Sequence, residues 1–364
     1  MNGRGGKGAR VLARGTADAP KGGRLEGRPL PFCTLLLALL LAACSAALSP
    51  AAAPLAEAGV VAPDDHEWFL RLRTGCNLYV HEMGTGPVVV VLHDGWGMEH
   101  SGLVDGFRPL SRRFRFVFYD QRASLRSPCD SLASVQGHVD DLNQLRAALG
   151  GEPLHLVGHG MGGYLAMRYA AAHPDGVASL SLLASVSARG AEAQPPGQAQ
   201  IRERFQRPRS VAEFRRNGID TEKSPSRSRQ RYVEHRIAKG AALLHNVERW
   251  RQLKGTLFYS SGASRTAGAP PPAEDLTGAL AALPFAIQVL APDDDYYPVE
   301  VATRWVRNVP NAELEIVPQA GHFLWIDQPE RFNRLLGRYL GRAVAARGTS
   351  GASARTAARG EQQP

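Results

Sequence analysis

Four continuous apolar runs constrain the fold more than any other feature of this 364-residue sequence. They are Pro87–His93 (PVVVVLH), Phe114–Asp120 (FRFVFYD), Leu154–Gly158 (LHLVG) and Val177–Ser185 (VASLSLLAS). Such runs are typical of strands that are buried on both faces. Across 135–149, apolar residues recur at three- and four-residue steps, which indicates a helix between the second and third runs. This alternation predicts an α/β fold with a mostly parallel central sheet, flanking helices and right-handed crossovers.

The alternation stops between Gly190 and Pro284, where the chain is rich in Arg, Ser, Pro and Gly. A segment this long without a strand pattern predicts an inserted subdomain or a partly disordered region. Strand patterns resume at Phe285–Leu290 and Ala312–Val317, and helical patterns cover 299–308 and 329–345. The predicted organisation is a signal segment 1–43, a flexible tether 44–66, a core formed by 67–189 and 285–345, a cap 190–284 and a disordered tail 346–364.

The N-terminal segment has the features of a targeting sequence. Basic residues continue through Arg28 and precede the apolar run PFCTLLLALLLAAC. This run is shorter than the roughly 20 residues that span a bilayer and fits a signal-peptide core. Its end, Leu41–Cys44, resembles the bacterial lipobox, in which the cysteine is lipidated and becomes the mature N-terminus. The prediction is a lipoprotein anchored in the bacterial cell envelope; a plain secretory signal or a short membrane anchor are the alternatives.

The four cysteines support no metal site. Cys33 would be removed with the signal and Cys44 would be acylated, which leaves Cys76 and Cys129 in an oxidising compartment. A disulfide is permitted there, but the sequence does not decide whether the two cysteines meet. The chain has no C-x-x-C pattern and no Cys/His cluster, so we expect neither a metal nor another cofactor.

Positive charge is concentrated in the segments 1–30 and 190–280. The formal net charge is +9, and the segment 190–280 alone carries sixteen Lys/Arg against nine Asp/Glu. No nucleic-acid-binding motif accompanies these charges, so we do not expect a nucleic-acid partner. A basic cap is more compatible with an anionic ligand than with a free amine. A solvated surface or contact with anionic lipid headgroups is the equally acceptable interpretation.

Six short segments carry a resemblance to a known family. They share order and spacing with the motifs of proline iminopeptidases, which are serine hydrolases of the α/β-hydrolase fold. The six are LHDGWG (Leu92–Gly97), YDQRASLRS (Tyr119–Ser127), VGHGMGG (Val157–Gly163), DLTGALAALP (Asp275–Pro284), APDDDYYP (Ala291–Pro298) and AGHFLWIDQPERF (Ala320–Phe332). The resemblance covers about 67–345 and implies an α/β-hydrolase core with a cap inserted after the sixth strand.

The resemblance also assigns roles to individual residues. His322 is similar to the catalytic histidine, with a buried structural histidine as the alternative. Asp294 matches the acid that orients it, although Asp293 and Asp295 are close rivals and a solvated turn is also open. The backbone N–H groups of Gly95 and Met161 match the oxyanion-hole donors.

The nucleophile position departs from the family pattern. Gly160 stands where the motif G-x-S-x-G has its serine, and glycine cannot form an acyl-enzyme. Asp94 replaces an oxyanion-loop glycine, and a carboxylate beside that hole opposes the charge that the hole must stabilise. Ala123, Leu125 and Ala291 replace further glycines of the family pattern, which predicts altered loop shapes near the site.

Three functional hypotheses follow from these departures. The first is a non-catalytic or altered-chemistry relative that binds a small molecule or peptide under the cap. The second is an enzyme in which His322 and Asp294 act as a general base. The third is an active ester or peptide hydrolase with another nucleophile, for which Ser101 and Ser127 are the candidates.

Overall fold

A computed structural model describes residues 65–129, 133–190, 192, 240–253, 260–268 and 273–360. The predicted signal segment, most of the tether and most of the cap lie outside these residues. One mixed sheet of eight strands has the order β1-β2-β4-β3-β5-β6-β7-β8. The strands are β1 Asp65–Arg71, β2 Asn77–Met83, β3 Val88–Leu92, β4 Arg115–Tyr119, β5 Leu154–His159, β6 Val177–Leu183, β7 Ile287–Pro292 and β8 Ala312–Val317.

The described helices flank this sheet, and they are numbered in chain order. They are α1 Ser101–Phe107, α2 Val135–Ala148, α3 Met161–Ala172, α4 Ser261–Ala267, α5 Thr277–Ala281, α6 Val299–Val306, α7 Leu324–Asp327 and α8 Pro329–Gly360. Short 3₁₀ helices occupy Arg108–Leu110, Pro174–Gly176 and Val247–Gln252. The predicted α/β class is confirmed.

The apolar runs form the central strands because both of their faces are covered. Strand β3 pairs in parallel with β4 and with β5, and β5 pairs in parallel with β6. Val89, Val90, Val91 and Leu92 are each fully buried. Only β2 runs opposite to the other strands, since it pairs antiparallel with both of its neighbours, β1 and β4. Burial of side chains that point to both faces explains why β3 has no polar alternation.

The last helix extends beyond its predicted end. It begins at Pro329 as predicted, but it continues to Gly360 instead of ending at Ala345 before a disordered tail. Alanine and arginine, which favour helices, recur through this segment, and helical hydrogen bonds need no tertiary partner. The segment after Ala345 is therefore helical although its sequence has no apolar pattern that would face a core.

Cys76 and Cys129 form a disulfide with a Cα–Cα distance of 5.2 Å. The bond links the start of β2 to the segment after β4, across 53 residues of sequence. It therefore closes a large loop that contains β2, β3 and β4, which restricts the unfolded chain. Within the residues that the structure describes, no helix combines the length and apolar character that crossing a bilayer requires.

Candidate active site

The turn between β5 and α3 has Gly160 at its centre, the position predicted for the nucleophile. Strand β5 ends at His159 and α3 begins at Met161, so Gly160 alone joins them. Gly160 has φ 54° and ψ −119°, a left-handed conformation that glycine adopts without the penalty that other residues incur. The backbone at position 160 therefore has a conformation that suits glycine and would be strained for a residue with a side chain.

The Asp94 carboxylate fills the space that a side chain at position 160 would need. A Cβ built on Gly160 would lie 2.0 Å from Asp94 Oδ1. The same oxygen accepts a hydrogen bond from the Met161 N–H at 2.6 Å, while Oδ2 lies 3.2 Å from His322 Nε2. One carboxylate oxygen therefore contacts the predicted oxyanion donor and the other contacts the histidine that a serine hydroxyl would contact.

Two neighbours keep Asp94 ionised. Its carboxylate lies at the N-terminus of α3, where the backbone N–H groups and the helix dipole favour a negative charge. Burial opposes ionisation, but the hydrogen bond and the charge of His322 hold the pKa of Asp94 well below its usual range. The carboxylate is thus a fixed anion inside the predicted oxyanion hole.

His322 is held between two carboxylates. Its ring is nearly fully buried, with Nδ1 3.0 Å from Asp295 Oδ2 and Nε2 3.2 Å from Asp94 Oδ2. The Tyr296 hydroxyl oxygen lies 3.4 Å from the same Nε2. Burial alone would lower the pKa of His322, but the charges and hydrogen bonds of Asp295 and Asp94 raise it to about 10. The ring is an imidazolium at neutral pH.

The acid that orients His322 is Asp295, which corrects the assignment to Asp294. The Asp295 side chain is fully buried against the ring. The Asp294 carboxylate lies instead 3.0 Å from Nδ1 of His245, on the described part of the cap. Spacing to Pro298 could not separate neighbouring aspartates, because the direction of each depends on the torsions of the turn.

Two hydrogen bonds fix that turn. After β7, the Ala320 N–H donates to Asp293 Oδ1 at 3.3 Å, and the Asp294 N–H donates to the Ala320 carbonyl at 3.0 Å. They attach the acid loop to the segment immediately before His322. Asp293 and the Asp294 backbone thereby hold Asp295 beside the ring.

His159 supports the position of His322. Its Nε2 lies 2.9 Å from the His322 carbonyl oxygen, and the two ring centroids are 4.3 Å apart. Burial, followed by the charge of His322, lowers the pKa of His159 to about 3. His159 is therefore neutral and holds the backbone of the charged histidine.

The two candidate replacement nucleophiles are bonded to other groups. The Ser101 hydroxyl donates to Glu99 Oε1 at 2.5 Å. The Ser127 hydroxyl donates to the Asp120 carbonyl at 2.6 Å and accepts from the Tyr79 N–H at 2.9 Å. Both serines thus serve as local structural links, and neither bonds to His322.

The other departures from the family pattern have local effects. Ala123 has φ 61°, so alanine keeps a left-handed turn at a cost of about 1 kcal/mol instead of reshaping it. Leu125 is 43% exposed and Ala291 is buried in β7. The Gly95 carbonyl accepts from the Met98 N–H at 3.0 Å, and a donor role for the Gly95 N–H stays a prediction.

One cluster has a donor set that could hold a metal ion. Single ligand atoms of Glu99, His100 and Asp120 lie within 4.8 Å of one another. The Arg126 guanidinium already contacts Glu99 at 3.2 Å and Asp120 at 3.1 Å, and His100 Nδ1 lies 2.7 Å from Asp120. A guanidinium thus supplies the positive charge that a metal would bring, and the cluster does not fit a cation well.

A family model described as the alpha/beta hydrolase fold matches residues 88–329. This chain belongs to the α/β-hydrolase family. The pimeloyl-[acyl-carrier protein] methyl ester esterase of Methylococcus capsulatus is 28% identical over 281 residues, which cover 72% of this chain and 98% of that protein. A proline iminopeptidase of Heyndrickxia coagulans is 35% identical over 102 residues, covering 27% of this chain and 35% of that protein. The narrower resemblance is therefore local.

Solved structures show the same fold. A malate-bound thermophilic esterase from Thermogutta terrifontis superimposes with a TM-score of 0.56 at 23% identity, covering 76% of this chain and 99% of that chain. At this identity the likeness concerns the fold, and function must be argued from the site.

Sequence reasoning did not find Tyr296. Its hydroxyl lies beside His322 Nε2, and burial together with the neighbouring carboxylate charges raises its pKa well above the usual value, so it keeps its proton. The signal was present in the run APDDDYYP, which places two tyrosines directly after the acids. Their orientation toward the histidine depends on the same turn that selects Asp295.

Proposed function

We propose that this chain is an altered-chemistry relative of proline iminopeptidase-like serine hydrolases, in which Asp94, His322 and Asp295 replace the serine triad. The observation that carries the proposal is the position of the Asp94 carboxylate, which contacts both Met161 N–H and His322 Nε2 above Gly160. Each partner of the missing serine is thus bonded to a carboxylate.

Acyl transfer through a serine does not fit this arrangement. No hydroxyl is present at position 160, and the N–H of Met161 is already bonded to an anion. A tetrahedral intermediate would place its negative charge against the Asp94 carboxylate. This is unfavourable, because the intermediate is stabilised by hydrogen-bond donors and a carboxylate is an acceptor. We therefore expect no ester or amide hydrolysis by the serine mechanism.

A simple general-base dyad is also disfavoured. A base needs an unoccupied nitrogen within reach of its proton donor. Here Asp295 occupies Nδ1 of His322 and Asp94 occupies Nε2. A non-catalytic ligand-binding protein would share the lack of esterase activity.

The native protein is expected to show neither covalent labelling by a fluorophosphonate nor His322-dependent hydrolysis of p-nitrophenyl acetate. Gly160→Ser alone should remain inactive, because the added side chain meets Asp94. The double variant Gly160→Ser with Asp94→Gly should exceed the single variant by about 10²-fold, since it restores the hydroxyl and frees an oxyanion donor together. A third variant that also carries His322→Gln is the control. Labelling of a serine in the native protein would refute the proposal.

We further propose that the protein is an envelope lipoprotein with its ligand under the cap. The lipobox-like Leu41–Cys44 supports the anchor, although it lies outside the described residues, and the disulfide between Cys76 and Cys129 is of the kind that forms in oxidising compartments. The basic composition of 190–280 favours an anionic small molecule or peptide over nucleic acid.

The anchor is tested by cell fractionation. Native protein should need detergent for extraction, whereas Cys44→Ala should accumulate as an unprocessed or mislocalised precursor. Cys33→Ala is the matched control, because that cysteine lies within the segment that would be removed. A mature lipoprotein with more than one acyl chain is stably attached to the membrane. Release of processed native protein without detergent would therefore contradict the proposal.

A further inference from the structure

We propose that His81 and His100 hold a Zn²⁺ ion between their facing ring nitrogens. His81 lies on β2, and His100 directly precedes α1, so the ion would link the antiparallel side of the sheet to a helix. The site shares no residue with the proposed active site, and it goes beyond the proposed function without depending on it.

The two histidines present one ring nitrogen each to a common point. His81 Nδ1 lies 3.2 Å from His100 Nε2. Two imidazole nitrogens that bind one Zn²⁺ at about 2.0–2.1 Å with a tetrahedral angle lie about 3.3 Å apart. The observed separation therefore suits one shared metal ion, and small rotations of the two rings direct both lone pairs to it.

The other nitrogen of each ring faces a carboxylate. His100 Nδ1 lies 2.7 Å from Asp120 Oδ1, and His81 Nε2 lies 3.5 Å from Asp65 Oδ1. A histidine that binds a metal commonly donates its remaining N–H to a carboxylate, which fixes the tautomer and makes the metal-binding nitrogen more basic. Both histidines have such a partner, which a hydrogen bond between two histidines does not require.

Metal binding requires a change of tautomer at one ring only. Without the metal, one of the two facing nitrogens carries the proton of their hydrogen bond. His100 has its proton on Nδ1, beside Asp120, so the proton between the rings belongs to His81 Nδ1. When the ion binds, His81 carries its proton on Nε2 instead, where Asp65 accepts a hydrogen bond. Both facing nitrogens then present a lone pair.

Neighbouring groups hold the two rings in place. Tyr79 stacks on His100 with ring centroids 5.5 Å apart, and the Phe118 centroid lies 5.8 Å from that of His81 and 6.1 Å from that of His100. The His100 backbone N–H donates to Asp120 Oδ1 at 3.2 Å. The ligand nitrogens are thus positioned before the ion arrives, which lowers the conformational entropy lost on binding.

The charges around the pair favour a dication. Four carboxylates lie beside the two rings, and they belong to Asp65, Glu67, Glu99 and Asp120. Within the described residues, the arginines that pair with these carboxylates are Arg108 and Arg126. Two negative charges remain, which a divalent ion offsets. Because Arg126 occupies Glu99 and Asp120, the ion would lie at the opposite edge of the His100 ring.

The site is reached from the side of β1. The His81 side chain is 11% exposed, and that of Asp65 is 43% exposed. Two histidines leave coordination positions for water, since zinc in proteins is usually four-coordinate. Nitrogen donors disfavour Mg²⁺ and Ca²⁺, which take oxygen ligands. The histidines are 19 residues apart, so no short motif indicated the site in the sequence.

Zinc titration of the full-length protein, stripped of metal with a chelator, tests the proposal. Calorimetry should detect one Zn²⁺ per chain and no binding of Mg²⁺. His81→Gln and His100→Gln should each weaken Zn²⁺ binding by about 10²-fold or more, and the surface change Asp65→Asn by about 10-fold. His66→Gln is the matched control, because His66 lies on the opposite face of β1 and should leave the affinity unchanged.

Nuclear magnetic resonance of the native protein identifies the ligand atoms without relying on a variant that has to fold. With ¹⁵N-labelled histidine, Zn²⁺ should shift one Nδ1 and one Nε2 resonance, and the former should be missing in His81→Gln. Absence of zinc binding, unchanged affinity in both His81→Gln and His100→Gln, or shifts confined to other histidines would each overturn the inference. None of these results bears on fluorophosphonate labelling or ester hydrolysis, so the proposed function is tested separately.

Discussion

Gly160→Ser is expected to lower the free energy of unfolding by about 5 kcal/mol, because the new side chain and the Asp94 carboxylate cannot occupy the same space. The built Cβ lies 2.0 Å from Asp94 Oδ1 and 2.3 Å from its Cγ. To accommodate it, Asp94 must leave both the Met161 N–H and His322 Nε2. The left-handed φ of 54° adds strain for serine.

A double-mutant cycle separates the clash from the backbone strain. Asp94→Gly should recover most of the loss when it is combined with Gly160→Ser, which gives a coupling energy of about 3 kcal/mol. Gly151→Ser is the matched control, since Gly151 has φ 77° with no atom within 4 Å of the built Cβ. It should cost only about 1–2 kcal/mol. Urea unfolding of the four proteins measures the cycle, and additive effects at positions 94 and 160 would contradict the packing described here.

Stability is expected to fall with rising pH between about 6.5 and 9.5. The pKa of His322 is raised to about 10 in the folded protein, from 6.5 for an ordinary histidine. A histidine whose pKa is raised by folding contributes its full stabilisation at pH values below its pKa in the unfolded chain. That contribution is lost progressively as the pH rises toward its pKa in the folded protein. The expected decline is about 1.4 kcal/mol per pH unit, or about 4 kcal/mol across this window.

Urea unfolding at four pH values within this window measures the decline. His322→Gln should remove most of the slope, and Asp94→Asn should reduce it, because one of the two carboxylates that stabilise the imidazolium is lost. The window ends below pH 10, because tyrosines in the unfolded chain ionise above that pH. Buried tyrosines in the folded protein, such as Tyr164, stay protonated there because burial raises their pKa. A flat profile for the native protein would show that His322 is neutral, and the ion-paired site would then be wrong.

Local sequence was sufficient for the scaffold. Continuous apolar runs predicted β3, β4, β5 and β6, because a strand with both faces buried leaves no place for polar alternation. The motifs VGHGMGG and AGHFLWIDQPERF were recognised from the sequence alone, and they lie at the turn between β5 and α3 and directly after β8. These features depend on neighbouring residues, which are adjacent in the sequence as well as in space.

The contacts that determine chemistry were decided by tertiary structure. Asp94 and Met161 are 67 residues apart and meet because β3 and β5 are parallel neighbours, with Leu92 beside Gly158. The sequence could place Asp94 near the oxyanion hole, but not inside it, because the direction of its side chain depends on the space left by Gly160.

The acid of the site shows the same division. Three consecutive aspartates were indistinguishable by spacing, and Asp295 faces His322 only because backbone bonds to Ala320 hold the turn in one orientation. The pairing of Cys76 with Cys129 likewise required the folded positions of two strands. By itself the sequence determined the fold and the presence of glycine at position 160, since these follow from periodicity and residue identity. Only the tertiary structure decided which carboxylates contact the Met161 N–H and the His322 ring, because those contacts depend on directions and distances between chain segments remote in sequence.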